Sequence, residues 1–469
     1  MKYADYRRWT DRATAWIEGH FAGLRRHPVR AQTRPGEIAA RLPKTPPETA
    51  EDMDTIFDDF ARIVPDGITW WQHPRFFAYF PANAAPASII AEQLTNAIGS
   101  QCMLWQTSPA ATEMEQVMID WLRQGLGLRE GFGGVIQDSA SSATLCAVLT
   151  MRERATGFKA NESGLSGRRQ LRIYCSKEVH SSIDKAVRVA GIGLENLVKI
   201  ATDGGYSIRP DALATAIEAD SAAGHTPAGV ILASGGTSIG AFDRLEPALD
   251  VAQRHGLYVH LDAAWAGAAM ICPEFRPLWA GANRCDSIVF NPHKWLGANF
   301  DCSIQFLANP DEQRHTMGLT PGYLETPQAQ DVINYSEWTV PLGRRFRALK
   351  LWFLIRAYGL CGLRKRIRNH VAWTAELCER LRAHPDIVIT TEPRLALFSF
   401  RHIGGDDATA ALLQRINDDG RIYLTRTLHE GRCLIRFTAG QFDCTRADVM
   451  TACDVITELA ARPGQASGL

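Results

Sequence analysis

Lys294 stands in the run SIVFNPHKW, and Asp262 closes the run YVHLD just before AAWAG. Most lysines are solvated surface charges. This one follows an apolar run, comes two residues after Pro292 and is followed by Trp295 and Leu296. A lysine dried by such neighbours has a depressed pKa, and its amine can attack a carbonyl to form a Schiff base. Asp262 could equally be a strand-end turn or a helix cap. A buried carboxylate, however, needs a cation, and a protonated pyridine nitrogen is one. A Schiff-base lysine and a ring-nitrogen carboxylate on successive strand ends are the two protein groups that pyridoxal 5'-phosphate requires.

Further residues fall near the same chemistry. Ser139, Ala140 and Ser141 lie in QDSASSATL, where a strand-like run gives way to a helical pattern. Small hydroxyl residues there are most often caps. The same helix start also offers backbone N–H groups and the positive end of the dipole to a phosphate. No G-x-x-x-x-G-K accompanies it, so it is not a Walker loop. Thr237 in SGGTSIG could add a contact to phosphate or ring oxygen, and the two glycines before it let the backbone come close. His180 follows YCSKEV. A lone histidine is more often a satisfied polar residue than a catalyst, but at a strand end its imidazole could stack on a flat cofactor.

Such residues need elements that bring them to one place. From about residue 85, helical stretches alternate with short apolar runs at 133–137, 171–176, 228–234, 256–264 and 286–294. Each is bounded by Gly, Pro or Asp, as buried strands of a mainly parallel sheet are. Alternating helix and strand implies an α/β layer architecture, with its active site beyond the carboxyl ends of the strands. Residues 1–85 read as an N-terminal helical segment, in which Tyr3, Tyr6, Trp9, Ala13, Trp16, Ile17 and Phe21 recur at helical spacing. So aromatic a segment is expected to pack on another subunit. Residues 86–350 read as the large α/β domain and 351–469 as a small C-terminal α+β domain. The latter opens on a long helix near 345–383, with strands at Ile387–Thr391, Leu395–Arg401, Ile422–Thr425 and Cys433–Thr438.

Composition sets limits. The 469 residues hold 51 Lys+Arg and 51 Asp+Glu, so a nucleic acid is not the expected main partner. Eleven scattered cysteines contain no C-x-x-C pair, which argues for reduced thiols in a cytoplasmic protein and against a metal site. The N-terminus lacks the apolar core of a signal peptide, and no run is long enough to span a membrane.

The combined residues resemble a known family. HPRFFAYFPAN (73–83), WQTSPAATEME (105–115), GVIQDSASSATL (134–145), HSSIDKA (180–186), HLDAAWAG (260–267), ICPEFR (271–276), NPHKW (291–295), NFDCS (299–303) and LGRRFRALKLWF (342–353) are similar to blocks of the group II pyridoxal phosphate decarboxylases, above all the aromatic-L-amino-acid decarboxylases. The resemblance implies a fold type I, aspartate aminotransferase-like homodimer with a mainly parallel seven-stranded sheet and an active site at the subunit interface. It implies Lys294 as the cofactor lysine, Asp262 as the ring-nitrogen partner and His180 as the stacking base. Ser139, Ala140, Ser141 and Asn291 match the phosphate side, Thr237 and Ala264 flank the ring, and His293 and Phe300 complete the cofactor set. Trp71, Tyr79, Phe80, Pro81 and Met103 match the aromatic-substrate pocket, with His180 again, and some of these are expected from the partner subunit. Asp138 and Trp265 depart from the family's common pattern.

The reaction expected is decarboxylation of tryptophan, phenylalanine, tyrosine, DOPA or 5-hydroxytryptophan to the arylethylamine. Tyr323, in the polar segment 313–337, is the candidate acid that returns a proton to Cα, and the segment reads as a mobile loop. In the family, tyrosine at that position accompanies simple decarboxylation and phenylalanine accompanies oxidative conversion to an arylacetaldehyde. Decarboxylation of an acidic amino acid such as glutamate is a further alternative and would need a cation in the side-chain pocket. Gly343 leaves more room than a serine would, a mild sign that indole rings fit.

Overall fold

The apolar runs become strands because each is short, buried along its length and stopped by residues that cannot continue a ladder. In the computed structural model, which describes residues 3–319 and 332–461, the five apolar runs and two further segments form one seven-stranded sheet. They are β1 (Gly133–Gln137), β2 (Leu171–Ser176), β3 (Leu197–Ile200), β4 (Thr226–Ala233), β5 (Tyr258–Asp262), β6 (Ser287–Phe290) and β7 (Ser303–Leu307). Their order is β1-β7-β6-β5-β4-β2-β3. Only β7 runs against its neighbours, so the sheet is mainly parallel, as expected. Gly134 permits the close pairing of β1 with β7, since a Cβ there would stand 2.7 Å from the Gln305 carbonyl oxygen.

Helices cover the sheet. Ala140–Ala155 and Ser182–Val189 pack Ala147, Val148, Met151, Ile183 and Val187 against Ile173, Cys175 and Ile231 of the strands. Full burial of a Val, Ile or Met side chain contributes about 1.5–3 kcal/mol. Helix starts and stops follow local chemistry: Pro109 opens Pro109–Leu126, and Gly127 ends it in the left-handed region at φ 76°.

The chain divides into two compact units. One comprises Ala82–Ala372 and Arg394–Leu397 and holds the seven-stranded sheet; the other comprises Met1–Pro81, Trp373–Pro393 and Phe398–Leu469. Toward the C-terminus, β8 (Ile387–Arg394), β9 (Leu397–His402), β10 (Thr425–His429) and β11 (Arg432–Thr438) form a second sheet, in the order β10-β11-β9-β8.

Some elements differ from the sequence reading. The strand expected at 422–425 begins at Thr425, because Tyr423 is taken up in an isolated parallel bridge to Phe76. Strands β3 and β7 had been passed over; each is short and carries a polar residue, Lys199 or Gln305. The ends of the expected loop 313–337 are ordered: Pro310–Met317 is helical, and Tyr335 and Trp338 are buried against Val135 and Leu307. Tyr323 lies outside the described residues. The long helix is Arg347–Arg382, interrupted at Gly359, whose φ of 59° is non-helical.

Candidate active site

The strands bring the sequence-predicted residues of the sheet unit to a single edge. Ser139 follows β1, His180 follows β2, Thr237 follows β4, Asp262 ends β5, and Asn291, His293 and Lys294 follow β6. Asp262 pairs with Ala233 on one side and Val289 on the other, so the β4, β5 and β6 ends stand abreast. Its Oδ1 accepts from the Ala264 N–H at 3.0 Å, which fixes the carboxylate at the strand end.

Lys294 sits half-buried on a single π-type turn, Pro292–Leu296, between Pro292 and Trp295. Its N–H donates to the Asn291 carbonyl at 2.9 Å, and its own carbonyl accepts from Asn83 Nδ2 at 2.6 Å. The His293 Nδ1 accepts from the Cys302 N–H at 2.9 Å, closing the loop that follows. Burial, with the neighbouring Lys294 charge, lowers the His293 pKa to about 3, so its ring is neutral. Phe300 lies 4.8 Å from that ring, centroid to centroid, and is exposed. Asn291 accepts through Oδ1 from the Ser303 hydroxyl.

Burial lowers the His180 pKa, while Asp262 pulls it up and Lys294 pushes it down. His180 thus lies within reach of both charges. The Ser182 N–H donates to His180 Nδ1 at 3.1 Å, so the neutral ring carries its proton on Nε2.

Ser139 is the N-cap of Ala140–Ala155, its Oγ accepting from the Ser142 N–H at 3.2 Å. The N–H groups of Ala140 and Ser141 have no acceptor among the described residues and face the first turn's open end. Ser234, one residue past β4, has a buried hydroxyl without a partner there. A lysine amine, a strand-end carboxylate, a neutral imidazole and unspent helix N–H donors fit pyridoxal phosphate. Ala264, half-buried beside Asp262, and Thr237, beyond the glycine pair, add little bulk.

The residues expected to receive the substrate fall in different units. Met103 belongs to the sheet unit, whereas Trp71, Tyr79, Phe80 and Pro81 belong to the other. Within that unit the Trp71 and Tyr79 rings stack at 5.5 Å, and the Arg436 guanidinium stands 5.1 Å over Phe80. Arg436 is buried, makes no ion pair among the described residues and has its pKa lowered by burial to about 10. Sequence reading passed over it; the signal was a lone cation inside the apolar strand run CLIRFT. The room read at Gly343 is already taken, because a Cβ there would stand 3.1 Å from the Gln101 amide nitrogen. Asn83 and Ser234 lie inside runs quoted above, HPRFFAYFPAN and SGGTSIG, but nothing local singles them out from their neighbours.

The description "Pyridoxal-dependent decarboxylase conserved domain" fits residues 35–403. The aromatic-L-amino-acid decarboxylase of Rattus norvegicus is 37% identical, over 98% of both chains. The phenylacetaldehyde synthase of Arabidopsis thaliana is 35% identical, over 95% of this chain and 94% of that one. The crystal structure of Oryza sativa TDC with PLP and tryptamine superposes with a TM-score of 0.94, at 32% identity and 98% coverage of both chains.

Proposed function

The chain belongs to the pyridoxal-dependent decarboxylase family, and from that premise we propose that it converts aromatic L-amino acids to arylethylamines and carbon dioxide. It is a fold type I, pyridoxal phosphate-dependent decarboxylase. Bound in the site, the cofactor supplies an electron sink for the bond broken at the substrate's Cα.

The residues then divide the work. Lys294 supplies the amine that binds the cofactor's aldehyde. Asp262 holds a proton on the ring nitrogen. His180 presents an uncharged face with its proton on Nε2. The N–H groups of Ala140 and Ser141, with Ser139, Thr237 and Asn291, hold the phosphate side; Ala264, His293 and Phe300 shape the rest of the cofactor's surroundings. Trp71, Tyr79, Phe80, Pro81 and Met103 receive the aromatic side chain, and Tyr323 returns a proton to Cα. The observation that carries this reading is geometric: Lys294, Asp262 and His180 all stand at or just beyond the carboxyl ends of parallel strands of one sheet.

The product is the point of choice. The aldehyde-forming relative keeps the oxidative alternative in view. Arg436 beside Phe80 favours a second reading, an acidic substrate, because it is a buried cation of the kind such a side chain needs. The aromatic neighbours keep the first reading ahead. The test is a panel of L-amino acids, including tryptophan, tyrosine, phenylalanine, DOPA, 5-hydroxytryptophan and glutamate, with carbon dioxide, amine and peroxide all measured. Amine from aromatic substrates and little peroxide is expected; glutamate as the preferred substrate would overturn it. Lys294→Ala should abolish the borohydride-trappable cofactor, and Tyr323→Phe should lose amine and gain aldehyde and peroxide. Unchanged amine output from Tyr323→Phe would remove that tyrosine from the reaction.

The working form is a homodimer with a shared site. Ile90, Leu94 and Ile98, at helical spacing on Pro86–Ile98, are all exposed, an apolar stripe that a second copy would cover. Sedimentation of the holoenzyme as a monomer at micromolar concentration would contradict this. A cytoplasmic location agrees with eleven cysteines that are all free thiols. Among the described residues no helix is long and apolar enough to cross a membrane.

A further inference from the structure

Trp265 lies three residues beyond Asp262, and Trp295 directly follows Lys294. Their indoles stack with centroids 4.9 Å apart and planes 14° apart, both fully buried. Trp295 Nε1 donates to His370 Nδ1 at 2.9 Å, which anchors the stack to the helix Arg347–Arg382. Trp265 also lies against the turn after β4. A Cβ at Gly235 would stand 3.0 Å from Trp265 Cε3 and 2.7 Å from Ala266 Cβ, and Gly235 has a φ of +82°. A glycine is required there on both counts. Trp265 is therefore wedged between the β4 turn that leads to Thr237 and the β6 turn that carries Lys294.

The backbone pairing of β5 with β6 ends short of the two tryptophans. Pairing of β5 with β6 continues through Ala263 N–H to the Val289 carbonyl at 3.0 Å and Asn291 N–H to the Ala264 carbonyl at 2.8 Å. Beyond Asn291 the chain turns, and the indole pair joins the two segments. We propose that Trp265 is a positioning residue whose stack on Trp295 sets the separation of the Lys294 amine from the Asp262 carboxylate. The inference rests on the roles proposed above for Lys294 and Asp262. A flat ring held at both ends tolerates little error in that separation, because misplacement by about 1 Å can cost about a hundredfold in rate.

The test uses the Trp265→Leu and Trp265→Phe holoenzymes. The visible circular dichroism of the bound cofactor reports how firmly its ring is oriented, and a merely structural role would leave it unchanged. Trp265→Leu is expected to keep its far-UV spectrum and take up pyridoxal phosphate, but to lose most visible dichroism per bound cofactor. Its kcat is expected to fall about ten- to a hundredfold, with KM changed by less than about twofold. Trp265→Phe, which keeps a ring to stack, should recover part of both signals. Wild-type dichroism in Trp265→Leu overturns the proposal, whatever its kcat. If Trp265→Leu does not fold, Trp265→Phe decides: reduced dichroism at an unchanged melting temperature supports the proposal, and wild-type dichroism overturns it. Wild-type protein that takes up no cofactor would instead remove the roles of Lys294 and Asp262, and this inference with them.

Discussion

Ser139 shares the start of its helix with Asp138, whose carboxylate accepts the Ser139 hydroxyl at 3.0 Å. A negative side chain beside a proposed phosphate cup works against the anion. The field of Asp138 reaches Arg347, which offsets part of its charge. A charge near a helix N-terminus is worth about 0.3–1 kcal/mol. Asp138→Asn is therefore expected to hold pyridoxal phosphate about two- to fivefold more tightly, measured as the rate of cofactor release on dilution. Faster release would mean that Asp138 orders the cup more than it repels the ligand. The cap itself was legible, since Ser139 ends a strand run and opens a helical one. Which polar neighbours have spent their hydrogen bonds was not, because that depends on side-chain partners brought from elsewhere.

The helix Arg347–Arg382 begins by holding the loop that follows Lys294. Lys350 is 1% exposed, and its Nζ reaches the Asn299 carbonyl at 3.2 Å and the Asp301 carbonyl at 3.0 Å. It also pairs with the Glu92 carboxylate at 2.6 Å. Arg347 binds the Asp301 carboxylate at 2.8 Å; burial raises that carboxyl's pKa, but the Arg347 bond and charge outweigh it and hold it low. Breaking a buried ion pair from one side costs about 3–5 kcal/mol. Lys350→Met should thus lower stability by about 3 kcal/mol in urea unfolding, and a loss below about 1 kcal/mol would show that Arg345, 2.6 Å from Glu92, suffices as its partner. The helix was readable from LGRRFRALKLWF. Which cation of that run turns inward was not, because Arg344, Arg345, Arg347 and Lys350 all fit a helical register in the sequence, although the helix itself begins only at Arg347.

Across the whole molecule, burial lowers the pKa of His73, His293 and His370 to about 3 and of His260 to about 4. The unfolded chain protonates these side chains near their ordinary value of about 6.5, and the folded protein does not until pH is far lower. Their contribution to stability is thus present above about pH 6.5 and is lost as pH falls toward 4, by at most about 1.4 kcal/mol per pH unit for each histidine. Urea unfolding at pH 7.5, 6 and 5 should trace that decline, and equal stability at all three would contradict it. By itself the amino-acid order determined that Lys294, Asp262, His180, Thr237 and Ser139 come at the ends of apolar runs, because the period of a strand and the residues that stop it are local. Only the tertiary structure decided that β7 enters antiparallel between β1 and β6, that Trp265 meets Trp295, and that Arg436 lies buried beside Phe80. Those outcomes join residues far apart in the chain, and they depend on how faces and volumes fit together, which no local pattern carries.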